Sequence, residues 1–165
     1  MIDLVRPVYD FALGYAQKLV ADLADDQMCA QPVAGRMMNH PAFLLGHLAL
    51  VHDSRAGVLS GDPAGTALLP EWKELFSMGA KPLADRSRYP SKAELLKALE
   101  AAHGRLAAAV AATAPEKLAE PAPEPMRARF PTLGHMLLGL MTSHYSSHLG
   151  QLSAWRRAMG LPSVF

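Results

Sequence analysis

Apolar residues recur at steps of three and four along four stretches of this sequence, and nowhere do they alternate with period two over a useful length. A chain patterned this way buries its apolar surface by packing helix on helix, with essentially no β-sheet. The stretches are 3–24, 40–60, 92–113 and 131–160. Leu4, Val8, Phe11, Tyr15 and Leu19 form the stripe of the first. Leu44, His47, Val51, Arg55 and Val58 form that of the second, with Asn39 as N-cap and Pro41 in the first turn, where proline is tolerated. The third carries Leu95, Leu99, Ala102, Leu106 and Ala109 behind a Ser91/Glu94 pair that matches a capping box. The fourth carries Leu133, Leu137, Leu140, His144, His148, Gln151 and Trp155. The expectation is an all-α fold, a four-helix bundle forming a single domain over residues 1–165.

The links constrain the topology. Pro32 and Gly35 break residues 25–38. The link 61–90 is long, punctuated by Gly61, Asp62, Pro63, Gly65, Pro70, Gly79, Pro82 and Pro90, with PEWKELFSMG as one short helix. A link of this length has a job: a long crossover that lets helices two and three run parallel, or a lid over one end of the bundle. APEKLAEPAPEP, with four prolines in twelve residues, reads as an extended entry to the last helix.

Charge excludes some functions. Sixteen basic residues stand against fifteen acidic ones, a net charge of +1, which leaves no electrostatic footprint for nucleic acid or an anionic membrane. Asp3, Arg6, Pro7 and Asp10 interrupt the N-terminal apolar pattern, so it reads as neither signal peptide nor membrane span. Cys29 is the single cysteine and has no basic or histidine neighbour close in sequence. It can form no internal disulfide, it is not a candidate nucleophile, and it points to a reducing, cytoplasmic setting.

Histidines stand where a bundle helix normally carries leucine. His144 and His148, one turn apart, project the same way and can share one metal ion, and His47 takes a core register on another helix. Three neutral imidazoles with an open fourth position make a catalytic metal site, with zinc or nickel as first candidates and iron or manganese after them. The alternative is three buried, hydrogen-bonded histidines. Left unpartnered they would cost on the order of 1–3 kcal/mol each, a cost that shared coordination offsets. The pair lacks the intervening glutamate of the zinc proteases, so peptide hydrolysis by that route is not indicated. His40 stands two turns before His47, about 10 Å along the axis, and is a candidate outer ligand or pocket residue. His52 is turned by about 140° from His47 and is expected to face elsewhere. His103 and His135 have no partner at ligand spacing and read as structural or exposed. Gln151 can bond a ligand histidine or a substrate, or is simply the polar end of its stripe.

Two segments, NHPAFLLGHLALVHD and HYSSHLGQLSAWRRAMGLP, together with YPSKAEL and ELFSMG, resemble the DinB-like superfamily over nearly the whole chain, the spaced HxxxHxGQ being the most specific part. The resemblance implies a four-helix bundle with a long crossover between helices two and three. It implies a metal triad at His47, His144 and His148, and a homodimer. Its characterised relatives include transferases and isomerases dependent on low-molecular-weight thiols; many others are described only as metal-dependent hydrolases. The expected function is therefore a metal-dependent enzyme acting on a small molecule by thiol transfer or hydrolysis. The alternative is a non-catalytic bundle with a structural metal, its shell closed by His40 or a carboxylate such as Asp53, or with a ligand-binding role.

Overall fold

The computed structural model describes residues 2–62, 68 and 70–164. Among these the regular elements are helical and no strand occurs. Pro63 and Gly65 of the long link lie outside the described residues. No helix among the described residues is long and apolar enough to cross a membrane. Four long helical segments meet around one hydrophobic core: α1 (Ile2–Val20), α2 (Pro41–Leu59), α4 (Lys92–Ala112) and a final segment running from Leu133 to Ala158. A short α3 (Pro70–Phe76) lies in the link between α2 and α4, and a single-turn α5 (Pro115–Ala119) follows α4. That turn corrects the reading of this link as extended throughout. Pro115 sits in its first turn, where its missing N–H is no loss.

The first helix buries a different face from most of the expected stripe. Val5, Tyr9, Ala12, Ala16, Leu19 and Val20 are buried, while Leu4, Val8 and Phe11 are exposed, Leu4 at 87%. Of the expected stripe only Leu19 is in the core. Small alanines permit close helix packing here, so size is a poor guide to which side is inward. By contrast α2 is buried almost all round, from Pro41 through Leu50 without a break. It is the central helix, packed on α3, α4 and the last segment. His40, not Asn39, caps it: His40 Nδ1 accepts the Phe43 N–H at 3.2 Å. On α4 the Ser91/Glu94 capping box forms, and Leu95, Leu99, Ala102 and Leu106 are buried on the expected stripe.

The last segment comprises α6 (Leu133–Gly139), a π turn (Leu140–His144) and α7 (Tyr145–Ala158). Its core line is Leu137, Met141, Tyr145 and Leu149, all 3% exposed or less and each four residues from the last. In a regular α-helix three such steps drift by about 120°, off the core face. The π turn, with more residues per turn, takes up that drift. Hydroxyls serve the loosened backbone: Thr142 Oγ1 donates to the Leu138 carbonyl at 2.6 Å and Ser143 Oγ to the Gly139 carbonyl at 3.0 Å. The expected stripe is corrected accordingly. Leu137 and Trp155 are core, Leu140, His144 and His148 are half-buried beside it, and Gln151 is exposed. At the far end the buried Arg156 grips Asp22 with both Nη atoms, at 2.6 and 2.9 Å, and also bonds the Leu19 and Pro162 carbonyls. This fastens the end of α7 to the end of α1.

Candidate metal centre

The central helix and the last segment bring His47, His144 and His148 together, and one ligand atom from each lies within 4.8 Å of the other two. No other such group of three occurs among the described residues. His144 closes the π turn and His148 follows on α7, so the turn that keeps the core line inward also sets this pair beside α2. Their Nε2 atoms are 3.2 Å apart. Two imidazole nitrogens on one tetrahedral zinc, each about 2.05 Å from it, would stand about 3.3 Å apart, so the pair already has ligand spacing. Both Nδ1 atoms are buried and have no hydrogen-bond partner among the described residues.

His47 is oriented from behind. Its Nδ1–H donates to the Phe76 carbonyl at 2.7 Å, which leaves Nε2 as the lone-pair nitrogen facing the pair. Phe76 can come this close because residue 46 is glycine; a Cβ at Gly46 would overlap the Phe76 ring. Phe43 stacks over the His47 ring at 6.2 Å. Burial pushes the His144 imidazole down to about 4, with His148 and His47 adding to the effect. Burial likewise pushes His148 down to about 4, helped by His47 and opposed by the nearby Gln151. Both rings are therefore neutral at pH 7, the state in which imidazole ligates a metal. Three imidazole nitrogen donors at this spacing fit zinc or another divalent transition metal.

Other sequence candidates lie elsewhere. His40 is fully buried, and its Nε2–H donates to the Leu83 carbonyl at 2.9 Å, so it ties the long link to the start of α2. Asp53 is buried and ion-paired with Arg105, outside the histidine group. Gln151 accepts from Asn39 Nδ2 at 2.9 Å and stands beside His148. The link from Asn39 to Gln151 was not evident from sequence, and the Phe76 carbonyl, being backbone, carries no side-chain signal at all.

A second polar group occupies the core, one ring from each long segment. Tyr9 Oη pairs with His52 Nδ1 at 3.1 Å and stacks on His103 at 3.7 Å, and Tyr145 packs edge-on against both Tyr9 and His52. His52, expected to face away from His47, does so by pointing into this cluster, and burial holds its imidazole well below the usual range. His103 Nε2–H donates to Asp10 at 2.8 Å and is structural; His135 is exposed and bonds Thr132. Cys29 is buried, and burial pushes its thiol up to about 11, the opposite of what a nucleophile needs.

Comparison with known proteins agrees with this geometry. No curated protein matches the chain. The family model described as DinB superfamily matches residues 9–152, a span that includes all three histidines and Gln151. The chain belongs to the DinB superfamily.

Proposed function

We propose that the protein is a metal-dependent enzyme that acts on a small molecule, with His47, His144 and His148 as the metal ligands and either a thiol or water as the nucleophile. The observation that carries this reading is three imidazoles from two helices converging on one point, with one of them oriented through its second nitrogen. A divalent ion there would act as a Lewis acid and lower the pKa of a bound thiol or water, supplying a nucleophile at neutral pH. The chain's own residues do the rest. The Phe76 carbonyl fixes the His47 tautomer, burial keeps His144 and His148 unprotonated, and Gln151 offers an amide at the exposed edge beside His148.

An open coordination position, rather than a closed structural shell, is favoured because the two residues that would have closed it are engaged elsewhere, His40 with Leu83 and Asp53 with Arg105. The test is metal analysis of protein purified without an affinity tag, beside a His144→Ala control. About one equivalent of zinc, nickel, iron or manganese in the wild type and a large loss in the variant is the expected result. Less than about a tenth of an equivalent in the wild type would exclude a tight site. Catalysis is then tested by adding a cell thiol and an electrophile; equal consumption with and without metal would overturn the enzymatic reading.

A further inference from the structure

A shallow groove of about 500 Å³ is lined by Met37, Asn39, Lys81, Pro82, Leu83 and Ala84. It adjoins the histidine site, because Asn39 bonds Gln151 and Gln151 stands beside His148. Its two largest apolar side chains face solvent, Met37 at 52% and Leu83 at 38% exposure. Exposed apolar residues are ordinary on loops that are free to fold them away, but the backbone is hydrogen-bonded at Leu83 and at Met38, the residue after Met37. The Leu83 N–H donates to Tyr89 Oη at 2.8 Å while its carbonyl accepts from His40. Between the lining residues Met37 and Asn39, Gln31 bonds both the N–H and the carbonyl of Met38, at 2.8 and 3.1 Å. The backbone of the groove is thus preorganised, so the ordering cost of binding is confined to its side chains. Lys81 is its single charged liner, is exposed, and makes no hydrogen bond or ion pair among the described residues.

We propose that this groove binds the substrate, a small organic acid whose apolar body lies on Met37 and Leu83, whose anionic group is met by Lys81, and whose reacting end reaches the histidine site past Gln151. This rests on the reading of that site as a metal centre and adds the substrate class to it. A cationic or purely polar molecule would find neither a charge partner nor a use for two displayed hydrocarbon side chains.

The probe is 4-phenylbutyrate, with 4-phenylbutylamine as the cation of the same body, titrated into the full chain with and without zinc and followed by amide chemical shifts. The acid is expected to move the signals of Met37, Asn39, Lys81, Leu83 and the Gln151 side chain, and to bind about tenfold tighter than the amine. Lys81→Glu is expected to reverse that order, and Leu83→Ser to weaken both ligands by about tenfold. Shifts that map to another face, equal binding of acid and amine, or a Lys81→Glu protein that keeps the wild-type preference would each overturn the proposal. The walls are clamped by His40, Tyr89 and Gln31 rather than by metal, so the groove is expected to bind the acid without zinc as well. Zinc content in both groove variants is expected to equal that of the wild type. A wild type that holds none of zinc, nickel, iron or manganese but shows the mapped shifts refutes the metal reading alone, and a wild type that holds one of these metals without the shifts refutes the groove alone.

Discussion

Replacing Gly46 by alanine tests the link between packing and the histidine site. A Cβ at this position would meet three atoms of the Phe76 ring, with Cδ1 only 2.5 Å away. Normal carbon contacts begin near 3.5 Å and the other two atoms lie closer still, so the ring must move by more than about 1 Å. It has little freedom to do so, being fully buried between Trp72 at 5.0 Å, Tyr89 at 5.7 Å and Phe43 at 6.4 Å. Overpacking of this kind costs about 1–3 kcal/mol, partly offset by up to about 1 kcal/mol of improved helix propensity. The net expectation is a loss of about 1–2 kcal/mol, or several degrees in Tm for a chain of this size. Movement of Phe76 also disturbs the carbonyl that orients His47, and loss of such an outer partner typically weakens a metal site by about 10–100-fold. Competition titration of zinc against a chromophoric chelator reads the second effect and urea denaturation the first. Gly104→Ala is the control: it lies exposed within α4 with nothing within 4 Å of a new Cβ, and should be neutral or stabilising. Phe76→Leu in the Gly46→Ala background should recover stability. If Gly46→Ala behaves like Gly104→Ala in both assays, the proposed coupling through Phe76 is wrong.

Other perturbations have equally definite expectations. The folded-state pKa of His40 is depressed from 6.5 to about 4, so its contribution to stability is complete above pH 6.5 and is lost as the pH falls toward 4. For this fully buried group the loss amounts to about 3 kcal/mol, and His144 and His148 add to it in metal-free protein; urea midpoints between pH 7 and 4 read it, and a flat profile contradicts it. Tyr9→Phe removes the hydroxyl paired with His52 and should cost about 1–3 kcal/mol in urea denaturation. Tyr145→Phe deletes a buried hydroxyl with no hydrogen-bond partner among the described residues and should stay within about 0.5 kcal/mol of wild type, so equal losses in the two variants would refute the assignment of partners. Arg156→Lys keeps the charge but loses the two-pronged grip on Asp22, and its expected cost of about 1–3 kcal/mol is measurable by thermal denaturation.

The helical class was legible because period 3.6 survives any detail of packing, and α4 follows its stripe closely. The histidine triad was legible for a different reason: imidazoles in a leucine register stand out chemically. Two errors of face show where periodicity fails. On α1 two alanines and Tyr9 share the contact surface with Val5, Leu19 and Val20, while Leu4, Val8 and Phe11 of the expected stripe marked the outside. In the last segment one π turn shifts the register, and a single 3.6 period drawn through residues 133–155 crosses from one face to another. The roles of Asn39 and His40 depended on where residue 83 and residue 151 return in space, which no local pattern records.

The π turn also sets a limit on what evolution or engineering can do with this helix. Deleting Thr142 or Ser143 would yield a more regular α-helix, yet it would put Leu133–Gly139 and Tyr145–Ala158 out of phase by about 100°. Either Leu137 would leave the interior or His148 and Trp155 would swing away from their neighbours. The best hydrogen-bonded version of this helix is therefore not the version this chain can use, and a length change of one residue here should be tolerated less than any single substitution in the same turn.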